Sequence, residues 1–146
     1  MTVHADRLAR VRAALVEQGV DAMVLSVGPD LPWLTGYEAM PLERLTALVV
    51  TADDAELVVP RLEAPRVVER PDVFFLRPYE ETTDPVDLVA ERLGASAVVA
   101  IGDRTWARFL VELGRQRPTI RWVRGTEVTG PLRAVKDPAE VEALAA

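Results

Sequence analysis

The chain has no cysteine, a single histidine in His4 and, in Lys136, a single lysine among its 17 basic residues. Without thiols, disulfides, thiolate metal sites and a cysteine nucleophile are excluded, while the redox compartment stays open. One histidine, in a segment expected to fray, leaves a Ser-His-Asp triad or a histidine-rich metal centre without an anchored member. Long apolar runs are also missing. Ala47–Val50 and Ala97–Ile101 have the length of strands and fall far short of the ~20 residues a membrane-spanning helix needs. Asp6 and Arg7 stand where a secretory signal would carry its apolar stretch, so the expected location is cytoplasmic, with no membrane partner. The arginines form no run and the net charge is -6, which repels a phosphate backbone and makes nucleic acid an unexpected partner. Gly28, Gly36, Gly94, Gly102, Gly114, Gly125 and Gly130 never reach the spacing of a phosphate-binding loop.

What is present is the composition of an ordinary globular domain, 49% hydrophobic and 27% charged over 146 residues. That length suits one core. Leu8, Val11, Leu15 and Val16 recur at helical spacing, predicting an amphipathic helix over 6–18 that Gly19 stops. Ala22–Val27 reads as a strand buried on both faces. Residues 29–43 hold three prolines with Trp33 and Gly36 and predict a structured loop or short helix. Leu45–Thr51 and Ala55–Val59 predict an antiparallel hairpin around Ala52-Asp53-Asp54. A short helix is expected at 62–69, a strand at Val73–Leu76, and a helix from the Asp84-Pro85 cap through Leu93, stopped by Gly94. Ala97–Ile101 and Thr119–Val123 predict two more strands around a helix at 105–115, with Trp106, Phe109, Leu110 and Leu113 toward the core. Strands alternating with helices, plus a hairpin, give an α/β fold: a mixed sheet of five or six strands flanked by helices. Asp137-Pro138-Ala139-Glu140 is a strong helix start, and the short helix behind it, with its Val141 and Leu144 stripe, is expected to lead into a further domain.

Chemistry is sparse. Asp53-Asp54, Glu80-Glu81 and Asp84 are the densest carboxylates, and they sit in turn-like sequence without loop-ligand spacing, which makes them solvated turns. Trp106 and Trp122 fall on regular elements and read as packing. Trp33 and Tyr37, with Met40 nearby, lie in irregular sequence, where either a ligand contact or a plug under the sheet is compatible with the residues. A hydrolase built on Ser26 or Thr35 would depend on His4 as its base.

Three stretches carry a resemblance. Arg7-Leu8 through Gly19-Val20-Asp21-Ala22, then Trp33-Leu34-Thr35-Gly36-Tyr37 with Glu43-Arg44 before a strand, and finally Leu132-Arg133-Ala134-Val135-Lys136-Asp137-Pro138-Ala139-Glu140-Val141 together resemble the N-terminal domain of the creatinase, prolidase and aminopeptidase P family. The resemblance implies a ribonuclease H-like sheet of the creatinase N-terminal type over 1–132, and a linker with the start of a helix over 133–146. It implies that the domain itself is non-catalytic. Its expected partners are its own C-terminal catalytic domain, holding two divalent metal ions (manganese, cobalt or zinc), and further copies in a homodimer or higher oligomer. Trp33, Tyr37, Glu38, Met40 and Arg44 are the residues expected near a neighbouring active site, with no metal ligand in this chain. The alternative is a free-standing α/β module that binds a small molecule at the Trp33–Tyr37 loop.

Overall fold

The Thr2 hydroxyl accepts from the Ala5 N–H at 3.1 Å and caps α1, Val3–Gln18, in the computed structural model, which describes residues 2–41 and 43–145. This cap starts the helix ahead of position 6, so His4 is held in its first turn instead of fraying. Gly19 closes α1 with φ 68°, its N–H reaching the Leu15 and Val16 carbonyls, a conformation that costs glycine little. Leu8, Val11 and Leu15 are buried as expected, but Val16 is 79% exposed and Arg7 is buried in its place. At about 100° per residue, Arg7, Leu8, Val11 and Leu15 share one stripe about 100° wide, and Val16 falls about 80° beyond its edge.

The chain then builds β1 (Ala22–Leu25), α2 (Asp30–Thr35), β2 (Ala47–Val50), β3 (Ala55–Pro60), β4 (Phe75–Tyr79), α3 (Pro85–Leu93), β5 (Val98–Ile101), α4 (Ala107–Gln116), β6 (Arg121–Arg124), α5 (Gly125–Ala134) and α6 (Pro138–Ala145). The six strands form one sheet in the order β4-β3-β2-β1-β5-β6. Pairing is antiparallel at β1–β2 and β2–β3 and parallel elsewhere. All strands except β2 therefore run the same way.

Strand side chains alternate between two cores. Met23, Leu25, Leu48, Val50, Leu57 and Val59 face α1, α2 and α5. Ala22, Val24, Ala47, Val49, Val58 and Val99 face α3 and α4. With helices on both faces the central strands can be apolar throughout, which is why they read as continuous runs. Each fully buried Leu or Val contributes about 1.5–3 kcal/mol. Asp21 pins the central parallel pair, its Oδ2 accepting from the Ala97 and Val98 N–H groups at 2.8 and 2.9 Å.

Several elements depart from expectation. The helix at 62–69 is only a single tight turn over Ala64–Arg66. β4 and β6 lie a little later than 73–76 and 119–123, after buried Val73, Phe74 and Ile120 that belong to the lead-in segments. Trp106 and Trp122 are only half-buried, at the rim of the second core. α5 had no counterpart among the expected helices. It starts at Gly125 directly after β6, contains Pro131, and buries Gly125, Val128 and Thr129 against the sheet. The position between 132 and 133 falls inside this helix, so the start of the expected linker is helical and tied down: Arg133 Nη1 donates to Asp30 Oδ1 at 3.0 Å.

Candidate functional site

Because β2 alone runs against the other strands, the segment leading into it lies at the end of the sheet where β1, β3, β4 and β5 finish. That segment follows α2 and crosses from one face of the sheet to the other. Tyr37 and Ala39 belong to the core under α1, and Leu45 to the core under α3 and α4.

Trp33 is 6% exposed and lies within the body. The Arg7 and Arg10 guanidinium carbons sit 5.3 and 6.0 Å from its ring centre, and its carbonyl accepts from Arg7 Nη1 at 2.8 Å and lies 3.1 Å from His4 Nδ1. Burial lowers the His4 pKa, an effect only partly offset by that carbonyl. Tyr37 is buried as well, and burial, with Glu63 nearby, pushes its phenol up. Trp33 and Tyr37 therefore plug the sheet, and the loop pocket required by a free-standing binding module is filled by its own side chains. The Thr35 hydroxyl donates to the Leu31 carbonyl at 2.8 Å and accepts from the Tyr37 N–H at 3.0 Å. The Ser26 hydroxyl donates to the Thr46 carbonyl at 2.8 Å. Both hydroxyl protons are committed to backbone, and His4 turns to Trp33 instead, so the hydrolase reading has no nucleophile–base contact.

Glu38, Met40 and Arg44 are exposed. Met40 Sδ accepts from Arg66 Nη1 at 3.4 Å. Arg44 Nη2 donates to Glu81 Oε1 at 2.5 Å, which lowers the Glu81 pKa and raises that of Arg44. Beneath this pair, the Tyr79 hydroxyl donates to the Leu45 carbonyl at 2.7 Å, and burial pushes its pKa up to about 12. Arg44, Leu45, Tyr79, Glu81, Arg108 and Phe109 line a cavity of about 330 Å³. The five residues expected from sequence thus divide into buried supports, Trp33 and Tyr37, and an exposed rim, Glu38, Met40 and Arg44.

Among the described residues, no three His, Asp or Glu side chains gather to hold a metal ion. The donor set for a pair of divalent cations is not built from these residues. No helix among them is long and apolar enough to cross a membrane.

Residues 7–135 match the Creatinase/Prolidase N-terminal domain family. The chain belongs to that family. It is 36% identical to the probable dipeptidase PepE of Mycobacterium tuberculosis over 147 residues, which cover 97% of this chain and 39% of that protein. The crystal structure of dipeptidase PepE from Mycobacterium ulcerans superposes with a TM-score of 0.86 at 37% identity, over 98% of this chain and 40% of that one. The creatinase/prolidase N-terminal domain of an X-Pro dipeptidase from Streptococcus pyogenes, 20% identical, shares the fold with a TM-score of 0.67, over 82% of this chain and 98% of that chain. The chain thus spans about two-fifths of the length of the curated relatives it matches, and its mixed six-stranded sheet is that of the creatinase/prolidase N-terminal domain.

The least legible contact in this creatinase/prolidase domain is a buried one. Arg7 Nε and Nη2 reach Asp137 Oδ2 at 2.8 and 2.7 Å, while Asp137 Oδ1 accepts from the Glu140 N–H at 2.9 Å. The Glu140 amide, together with Arg7, holds the Asp137 carboxyl below the usual carboxylate range. Asp137 is recognisable in the sequence as a helix cap. Its partner lies 130 positions away, and the only hint of it is an arginine placed next to Leu8 on the buried stripe.

Proposed function

We propose that this domain serves an Xaa-Pro dipeptidase or aminopeptidase, organising a catalytic domain that lies C-terminal to it and holds two divalent metal ions, manganese, cobalt or zinc. The observation that carries the reading is the asymmetry of coverage: nearly the whole chain aligns with PepE, yet it accounts for only 39% of that protein. In this reading the domain performs no bond cleavage. It contributes subunit contacts in a cytoplasmic homodimer or higher oligomer, and it presents the exposed Glu38, Met40 and Arg44 beside a neighbouring active site. Trp33 and Tyr37 anchor that segment from below, so its position is set by packing and not by the substrate.

The supporting chemistry is local. A carboxylate, a thioether and a guanidinium on one short rim can restrict the size of a peptide and orient its charged ends, while metal ions held by the proposed catalytic domain would supply Lewis-acid chemistry for the hydrolysis. The test is to replace Glu38, Met40 and Arg44 together with alanine in the protein that carries both domains. Expected is a rise in KM for Xaa-Pro dipeptides of roughly tenfold with little change in kcat, the signature of lost substrate binding. Unchanged kinetics together with an unchanged preference for dipeptides over longer peptides would refute the rim's role.

A further inference from the structure

The strands β1 and β5 lie side by side and parallel, yet their connections part. β1 is followed by α2 on one face of the sheet and β5 by α4 on the other. In an open α/β sheet this divergence leaves a crevice beyond the carboxyl ends of the two strands, the place where such sheets bind ligands. Here the crevice exists as a cavity of about 240 Å³, and its lining includes Val27, Gly28, Asp30, Asp103, Arg104 and Arg133. It takes one small group and is too small for an extended chain.

Its charges sort by pairing. Asp30 is occupied by Arg133 Nη1 at 3.0 Å and by the Thr129 hydroxyl at 2.7 Å. Asp103 accepts from Arg124 Nη2 at 2.7 Å and from the Thr126 hydroxyl at 2.9 Å, and its pKa is lowered, chiefly by Arg124. Arg104 is the lining cation with no carboxylate partner among the described residues. The stem of Arg104 runs across bare glycine backbone: a Cβ at Gly28, whose φ is 130°, would stand 3.4 Å from Arg104 Cδ. The N–H groups of Val27, Gly28, Asp103 and Arg104 find no acceptor among the described residues. Two turns supplying unclaimed amides, beside one unclaimed guanidinium and two neutralised carboxylates, make a concavity suited to negative charge.

We propose that this crevice is a binding site for a small anion, a carboxylate or phosphate group, held by Arg104 and the turn amides at the ends of β1 and β5. This inference is independent of the peptidase reading, because it concerns binding by this chain alone.

The experiment is an amide-resolved NMR titration of the isotopically labelled chain with sodium phosphate and, separately, with N-acetylglycine, both at constant ionic strength set with sodium chloride. Expected are saturable shifts of the Gly28, Gly102, Asp103 and Arg104 amides with at least one of the two anions. Saturation by phosphate alone identifies a phosphorylated ligand, and saturation by N-acetylglycine identifies a carboxylate. Arg104→Gln, an exposed substitution that leaves both cores intact, should weaken the apparent Kd by at least about tenfold, the scale of one lost charge-assisted contact. The proposal is overturned if neither anion gives saturable shifts, or if Arg104→Gln binds as the unaltered chain does.

Discussion

Arg7 holds four partners at once: the Asp137 carboxylate, the Glu140 carboxylate at 3.8 Å, the Trp33 carbonyl and the Trp33 ring. A guanidinium taken out of water is tolerable only when its donors are satisfied, and breaking such a group from one side leaves the remainder unpaired. We expect Arg7→Met to lower the melting temperature further than Asp137→Asn does, because Met forfeits the Trp33 carbonyl as well, whereas Asn can still cap α6. Equal shifts in thermal denaturation would contradict this ordering. Carboxylates give the pH dependence its sign. Asp21, Asp103 and Asp137 all have lowered pKa values, caused chiefly by the Val98 and Ala97 amides, by Arg124, and by the Glu140 amide respectively. Groups depressed in the folded state contribute stability that is fully present above the ordinary carboxylate pKa of about 4 and is lost as pH falls through the folded values. Urea midpoints measured downward from pH 6 should therefore hold until about pH 5 and then fall, and Asp21→Asn should flatten part of that fall. A midpoint that rose on acidification would reverse the assignment.

Among the elements, α5 is the one that sequence patterning hid, and its residues say why. Gly125, Gly130 and Pro131 each signal a break, and the strand before it passes into the helix with no connecting residue. Tertiary packing overrides those signals. A Cβ at Gly125 would stand 3.0 Å from the Ile101 carbonyl oxygen and 3.1 Å from Gly102 Cα, so the helix starts where only glycine lets it meet β5. Gly125→Ala should cost about 1–3 kcal/mol, the usual penalty for forcing extra volume into a packed contact, read from chemical denaturation. No loss would mean that the backbone gives way freely. Val16→Lys is the counterpart on α1: at an exposed position it should stay within about 0.5 kcal/mol of the parent. The central strands were legible because burial on both faces leaves an unmistakable apolar run, and α3 because Asp84 caps it through the Val86 N–H. The rim at 38–44 was legible as a segment, but which side chains stay exposed was not. That depends on Trp33 being drawn beneath α1 by two arginines from another element.

Over the whole molecule, the sheet is closed by helices on both faces while α6 stands apart. None of its residues is buried, and Val141 and Leu144 are 54% and 74% exposed. Yet its first turn is fixed to α1 through Asp137 and Arg7, so its direction is set by the domain. In the proposed function that helix leads toward the catalytic domain, and the carboxylate cap defines the angle of approach. Hydrogen exchange should find the α6 amides faster in Arg7→Met than in the parent chain, with α3 and α4 unaffected; uniform acceleration would point to general destabilisation instead. The central claim is that this domain contributes no chemistry of its own. Its most direct test is hydrolysis of Xaa-Pro dipeptides with manganese, cobalt or zinc by this chain alone, beside a protein in which it is joined to the proposed catalytic domain. The account predicts turnover only in the joined protein, and turnover by the chain alone that survives repurification would contradict it.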